Sequence, residues 1–509
     1  MDRQVISRIF TIALLICIAL GGFLFALNEA QRALVLTTDS IMYADTARHI
    51  AAGQGVTTGI LELDSTVSPR PQTQWPPFYA MLMAPLIKAG VSPVDAGRYV
   101  SAGAFGVLIL LVGLWLMRLH PTAGIAAASA LLVAPGITKI SAAVWADSTY
   151  AVIVLVFCWL GSELVRRPTR LRSFMLGCLI GIGILTKYLG IILIGVGVVI
   201  QLITWLRHRR LNELLKHLGF TLLGIALFVV PLLSFNLTAG QPIGGADRVL
   251  SSQPFGQILV DTWGTLSHDM TANWILWSLL ALAAISMAFM TTQASRRNTL
   301  AGPWRRRLIV PVTVFVVYAL GLIAARALID TDRIHTRFLA PVFPLAIIAF
   351  VTLIDAATRY INLRARTIVL SLIAMVSIAW TIKAYDFHAG PYVMPGSPAA
   401  RWAVTTTTSR DLVIGNNAAE FAFRYGYTVI RLGREAHDPK LTPELLATVT
   451  ERWRGSFDRI FIALTPNLDA RRYGDYTATI SDKNPPNNLT FVDERPGQVV
   501  YLVDTTTPP

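Results

Sequence analysis

The residues able to do chemistry gather in short segments between long apolar runs. Asp39 stands in Thr-Thr-Asp-Ser-Ile-Met-Tyr-Ala-Asp-Thr-Ala-Arg-His, residues 37–49. Ile41, Ala44, Ala47 (or Arg48) and Ala51 follow helical spacing, and Gly53 and Gly55 supply a stop. The pattern predicts an amphipathic helix lying at a membrane surface. Asp39 would sit at its start, where backbone N–H groups can hold a carboxylate. A carboxylate there can accept a proton, or it can be an ordinary N-cap, with Ser40 as the alternative cap. Asp147 heads a later apolar run and has three readings: a cap, an orienting partner for a cation, or a metal ligand. Lys187, Arg333, His335 and Arg337 fall at the ends of predicted spans. Cations there can hold an anion, Arg bidentately. The competing readings are interface anchors for Arg333 and Arg337, a snorkelling Lys187 and a solvated loop His335.

Composition explains why such residues stand out. Of the 509 residues, 54% are hydrophobic and only 15% charged, against about 25% charged in soluble proteins. With about 20 apolar residues per crossing, spans are predicted at 6–27, 98–117, 122–138, 147–165, 171–186, 188–206, 217–237, 272–292, 308–328, 338–357 and 366–385. The total is about eleven. The formal net charge of +14 sits largely in breaks such as Arg166–Arg172, Arg207–Arg210, Arg296–Arg307 and Arg359–Arg366. That is the signature of cytoplasmic loops rather than of nucleic-acid binding. With the N-terminus inside, every Arg-rich break falls on the cytoplasmic side. Residues 28–97, 138–147, 238–271, 329–337 and the tail from 386 then fall outside. Lys187, Arg333 and Arg337 would thus oppose the positive-inside bias, a pointer to function. The first apolar run exceeds the about 7–15 residues of a signal-peptide core and lacks a clear A-x-A site, so an uncleaved helix is expected.

After residue 385 the pattern turns to mixed α/β. Residues 411–415, 427–432, 459–464 and 498–503 read as strands, and 417–425 and 442–454 have helical spacing. Two domains are therefore expected: a membrane part over 1–385, with its first outer loop at 28–97, and a soluble extracytoplasmic part over 386–509. Cys17, Cys158 and Cys178 all lie in apolar runs and offer neither a disulfide framework nor a thiolate metal site.

Several segments in order carry a family resemblance. Asp39-Ser-Ile-Met-Tyr43, Ala47, Gly53-Gln-Gly55 and Trp75-Pro76-Pro77-Phe78-Tyr79 resemble the first outer loop of GT-C glycosyltransferases, especially the protein O-mannosyltransferase and aminoarabinose transferase superfamily. Ser141-Ala-Ala-Val-Trp-Ala-Asp147-Ser-Thr-Tyr150 resembles the second outer loop. Gly181-Ile-Gly-Ile-Leu-Thr-Lys187-Tyr188-Leu-Gly190 resembles a basic-residue-then-Gly turn, and Arg337-Phe-Leu-Ala-Pro341-Val-Phe-Pro344 a late helix start. One departure stands out: many relatives carry two adjacent acids in the first loop, whereas Ser40 follows Asp39 here and Asp45 lies two turns along.

The resemblance implies a polytopic α-helical fold in the bacterial cytoplasmic membrane with an extracytoplasmic α/β domain. It implies an inverting transfer of a sugar from a polyprenyl-phosphate donor to a hydroxyl of a protein, lipid or glycan acceptor. Asp39 would be the base. Lys187, Arg333, His335 and Arg337 would hold the donor phosphate, with Asp147, Tyr43 and Trp75 in support. Oligosaccharide-transferring relatives use a divalent ion, but no carboxylate cluster with ligand spacing is legible here, so a metal-independent reaction without cofactor is expected. Two other classes compete. A lipid-linked sugar flippase or transporter would show repeated halves and broken polar helices. A membrane-anchored binding protein would leave the elaborate first loop unexplained.

Overall fold

In the computed structural model the described residues are 3–32, 37–62, 69–208, 211–242, 245, 251, 253–271, 303–329, 334, 336–361, 363–384, 411–415, 428–431, 453, 456–457, 459–464, 489–495 and 498–503. Along the chain run α1 (Arg3–Arg32), α2 (Thr38–Ala51), β1 (Thr57–Thr58), β2 (Ile60–Glu62), β3 (Arg70–Pro71), α3 (Phe78–Lys88), α4 (Pro93–Met117), α5 (Pro121–Leu132) and α6 (Pro135–Ala142). Then follow α7 (Asp147–Arg166), α8 (Arg170–Thr186), α9 (Ile192–His208), α10 (Leu211–Thr238), α11 (Phe255–Thr271), α12 (Pro303–Leu328), α13 (Thr336–Leu339), α14 (Phe343–Ile361) and α15 (Leu363–Ala384). The C-terminal strands are β4 (Leu412–Gly415), β5 (Thr428–Arg431), β6 (Ile460–Leu464), β7 (Leu489–Arg495) and β8 (Gln498–Val503).

The chain divides into two compact units. A helical unit holds Met1–Leu34, Thr73–Tyr79 and Gly97–Tyr392, and a mixed unit holds Val35–Gln72, Ala80–Ala96 and Val393–Pro509. Among the described residues seven helices are long and apolar enough to cross a membrane: Val5–Ala30, Pro93–Met117, Asp147–Arg166, Tyr188–His208, Leu211–Thr238, Leu308–Leu328 and Arg337–Ala356. They answer seven of the expected spans. The expected 122–138 span is instead a pair of helices, α5 and α6, bent by 64°. Pro135 opens α6 and holds Ala134 in extended backbone (φ −83°, ψ 97°), because proline crowds the residue before it out of the helical region. The 171–186 span is α8, a helix of 17 residues, and the apolar part of α15 is Arg366–Ala379. Span 272–292 lies outside the described residues. Helix α3 follows Pro76 and Pro77, where the sequence leads into an apolar helix, and α11 occupies a stretch expected as loop.

Packing in the helical unit follows membrane rules. Leu222, Leu223, Leu227 and Val230 on α10 are exposed, a surface suited to lipid and hazardous in water. The opposite face of α10 meets α8 backbone to backbone. A Cβ at Gly177 would overlap the carbonyl of Thr221, and one at Gly224 would overlap that of Phe174, so only glycine permits this approach.

The mixed unit contains a six-stranded sheet in the order β2-β5-β4-β6-β8-β7. Strands β2, β5, β4 and β6 run parallel, and β8 is antiparallel to both β6 and β7. The four expected strands correspond to β4, β5, β6 and β8. Asp411, fully buried, accepts from Arg459 Nε at 3.1 Å and Nη2 at 2.8 Å, a two-point pair that joins the starts of β4 and β6. Strand β2 comes from the first loop, more than 300 residues upstream of its partner β5. The expected helices at 417–425 and 442–454 lie outside the described residues, Trp453 apart.

Helix α2 confirms the predicted helix and its stop, since Gly53 and Gly55 take positive φ of 77° and 76°, which glycine adopts without strain. Two expectations are corrected. Residues 40–47 are buried without a break, so α2 is an interior helix rather than an amphipathic surface one. The N-cap is Thr37: its Oγ1 accepts from Ser40 N at 3.4 Å, and Ser40 Oγ accepts from Thr37 N at 3.3 Å. This capping box leaves Asp39 two positions inside the helix, not at the cap.

Candidate functional site: a buried carboxylate between two cations

Three segments separated along the chain meet at Asp147 in the helical unit. The backbone leaves α6 extended at Ala143 (φ −95°, ψ 155°), and α7 begins at Asp147 with Ala146 as a cap that offers no side-chain bond. A carboxylate in the first turn is favoured by the helix dipole. Asp147 is fully buried, and its oxygens face other elements. Oδ1 accepts from Lys187 Nζ, and Oδ2 accepts from Arg337 Nε at 2.8 Å. Of the three readings of Asp147, the geometry matches the partner to cations, here two of them.

Each cation has a local reason for its position. Lys187 ends α8 in extended backbone (φ −156°, ψ 130°), where the chain enters a 3-10 turn at Tyr188–Ile191. Gly190 makes the turn possible. Its N–H donates to Lys187 O at 2.7 Å, and a Cβ there would overlap the backbone of Gly183 and Ile184. Arg337 lies on the one-turn helix α13, and the following 3-10 turn, Ala340–Val342, carries Pro341 before α14 starts. Aromatic faces hold both charges. The Arg337 guanidinium lies 4.2 Å from the Trp145 ring centroid, and Lys187 Nζ lies 5.0 Å from that of Phe338.

Hydroxyl groups surround this cluster. Ser101 Oγ donates to Trp145 O at 3.2 Å and meets Tyr79 Oη at 2.7 Å, while Tyr79 Oη also donates to Gly97 O at 2.9 Å. This ties the Trp-Pro-Pro-Phe-Tyr segment to the loop that carries Trp145. The rings of Tyr150 and Tyr318 lie 6.3 Å apart. Tyr188 Oη donates to Thr73 O at 2.6 Å and accepts from Asn236 Nδ2 at 3.3 Å. Ser101, Tyr318 and Asn236 were not singled out from sequence, and Tyr79 only as the end of the Trp-Pro-Pro-Phe-Tyr motif. Polar groups at the ends of apolar spans or within them were the signal available, most clearly for Asn236 near the end of span 217–237.

Among the described residues, two cations from distant elements are held by one carboxylate. The carboxylate lies behind, at 0% exposure, while the Lys187 and Arg337 side chains keep 14% and 18%. Both Asp147 oxygens are engaged, so its chemistry is to hold cations rather than to take a proton. The cations are suited to an anion carrying several oxygens.

The remaining candidates lie elsewhere. Asp39 is half-buried in the first turn of α2, in the mixed unit, with buried Tyr43 one turn on. Trp75 is half-buried just ahead of α3. Arg333 and His335 lie outside the described residues. Among the described residues no three His, Cys, Asp or Glu side chains group as a metal would need.

Residues 74–235 match the family model described as dolichyl-phosphate-mannose-protein mannosyltransferase. That segment carries Trp75, Asp147 and Lys187 but neither Asp39 nor Arg337. Comparison with curated protein sequences gives no match. Among solved structures, ArnT from Cupriavidus metallidurans bound to undecaprenyl phosphate aligns with a TM-score of 0.62 at 14% identity, covering 96% of this chain and 97% of that one. Its apo form aligns at 0.59 with 16% identity, over 98% of each chain. The oligosaccharyltransferase AglB from Archaeoglobus fulgidus, in complex with an inhibitory peptide and a dolichol-phosphate, aligns at 0.51 with 10% identity, over 97% of this chain and 74% of that one. The resemblance to GT-C glycosyltransferases thus holds twice over, in the family match across 74–235 and in the fold of nearly the whole chain.

Proposed function

We propose that the protein is an inverting glycosyltransferase that moves a sugar from a polyprenyl-phosphate donor to an acceptor hydroxyl at the outer face of the bacterial cytoplasmic membrane. The observation that carries this reading is the Asp147–Lys187–Arg337 cluster, two cations gathered on one buried carboxylate at the ends of apolar helices. A lipid phosphate is an anion delivered at that depth. The ArnT and AglB structures that share the fold hold undecaprenyl phosphate and dolichol-phosphate, the same ligand class.

In this scheme the acceptor oxygen attacks the anomeric carbon as the bond from that carbon to the phosphate oxygen breaks. Lys187 and Arg337 meet the charge that develops on the departing phosphate, and Arg333 and His335 are proposed to assist. Asp147 keeps the two cations aimed and prevents their mutual repulsion from separating them. Asp39 takes the acceptor proton, with Tyr43 and Trp75 as supporting residues. The N-terminus faces the cytoplasm and the C-terminal sheet the exterior, as the distribution of arginine requires. The scheme needs no metal, so chelation leaves the rate unchanged.

The test is transfer from a panel of radiolabelled polyprenyl-phosphate sugars in membranes, comparing wild type with Asp39→Asn. The substitution keeps size and removes the base. Transfer should fall by about 100-fold or more with donor binding retained. Equal activity of the variant would remove Asp39 from the mechanism. Movement of donor across the membrane without transfer would replace the enzyme with a flippase.

A further inference from the structure

The second acid of the first loop is not used as a second acid. Asp45 lies six residues after Asp39 on α2, which is about 9 Å along the axis and about 120° around it. Its side chain is buried, and its oxygens are occupied within the mixed unit. Oδ2 accepts from Thr58 Oγ1 at 2.6 Å and from the Gly59 N–H at 2.8 Å. Oδ1 accepts from Arg48 Nη2 at 2.6 Å. The chain it grips continues directly into β2. Ile60 N donates to Thr58 Oγ1 at 3.1 Å, and Ile60 O accepts from Arg70 Nε at 2.9 Å. Strand β2 then pairs in parallel with β5, Ile60 opposite Val429 and Glu62 opposite Arg431. A continuous series of bonds runs from α2 through Asp45 and β2 to the C-terminal sheet.

We infer that Asp45 is a positioning residue: with β2 it ties α2 to the C-terminal sheet, so that the sheet sets where Asp39 sits. The inference rests on the proposed role of Asp39 for its catalytic consequence, but the tie itself can be measured without any transfer. Nothing in it asks Asp45 to touch substrate. A strand of three residues, alone in a loop, has no stability of its own. Paired to a sheet and latched by a buried carboxylate, it becomes a fixed support for the helix.

The experiment is hydrogen exchange on the full-length protein in lipid nanodiscs, paired with transfer kinetics. Asp45→Ala should speed exchange over both 39–51 and 57–62 and leave α7 to α10 unchanged. It should lower kcat by about 10- to 100-fold, the scale of a misplaced catalytic group, with donor KM unchanged. Asp45→Asn retains an oxygen for Thr58 and Gly59, so it should recover most of both properties. Leu61→Pro, which breaks the β2–β5 ladder, should speed exchange in α2 as well as in the strands. Two results would overturn the inference. One is Asp45→Asn being as inactive as Asp45→Ala with normal exchange, which would make the charge itself part of the reaction. The other is Leu61→Pro leaving α2 exchange at the wild-type level, which would mean the sheet does not hold the helix. Asp39→Asn serves as the control: it should show wild-type exchange throughout, whatever it does to transfer.

Discussion

Asp147 and Asp45 are both buried carboxylates on helices, and their partners set them apart. Asp147 is bound by the side chains of two cations, 40 and 190 residues away along the chain. Asp45 is bound by a hydroxyl, a backbone N–H and an arginine one turn along its own helix. The first arrangement gathers two cations from distant elements on one carboxylate, which suits an anion carrying several oxygens. The second is close to neutral and consumes the carboxylate in holding a loop. A buried acid points to a ligand site more strongly when it gathers cations from distant elements than when it holds its own loop.

The strongest test of this contrast is Asp147→Ala. Removing the carboxylate takes from Lys187 and Arg337 the counter-charge they share, and breaking a buried pair typically costs about 3–5 kcal/mol. Thermal unfolding in detergent should shift down markedly, and transfer should be abolished. An undiminished melting temperature would mean that Asp147 does not hold the two cations. A smaller effect is expected of Arg337→Lys. Lysine keeps the charge but cannot lie flat on Trp145 or present a fork to an oxyanion. Donor KM should rise by about tenfold, the loss of one good charge-assisted bond, with little change in stability. An unchanged KM would separate the guanidinium from donor binding.

The smallest expected effect concerns His49, beside Asp45, with Nδ1 3.2 Å from Thr57 Oγ1. Burial, aided by Arg48, lowers its pKa below the usual 6.5, against the opposing pull of Asp45. The folded state thus prefers the neutral ring. Its contribution to stability is complete above pH 6.5 and is lost as pH falls through the lowered folded value. Exchange over 45–62, corrected for intrinsic rate, should therefore rise on acidification below pH 6.5. His49→Gln should flatten that response. If acid leaves this segment unchanged while other regions loosen, His49 does not contribute to the latch.

Much of this architecture could be read along the chain. A membrane crossing is a local property, a run of apolar residues long enough for the bilayer, so seven of the expected spans appear as helices at nearly their expected bounds. The 122–138 stretch shows the limit of that argument. Hydropathy averages over a window and does not register that Pro135 forces a bend within it. Strands β4, β5, β6 and β8 were legible because each is a short apolar run bounded by polar residues. The turn at Lys187 was legible as a motif, through Gly190.

The sequence by itself determined which stretches suit lipid, the apolar cores of the C-terminal strands, and that Asp39, Asp147, Lys187 and Arg337 lie at the ends of elements. All of these are set by neighbours within a turn or a span, where spacing carries the information. Only the tertiary structure decided that Asp147, Lys187 and Arg337 share one ion-paired cluster, that Thr37 and not Asp39 caps α2, and that a three-residue strand from the first loop completes the C-terminal sheet. Contacts between residues hundreds of positions apart leave no periodicity in the chain. They arise when packing buries a charge that must find its partner wherever the fold has brought one.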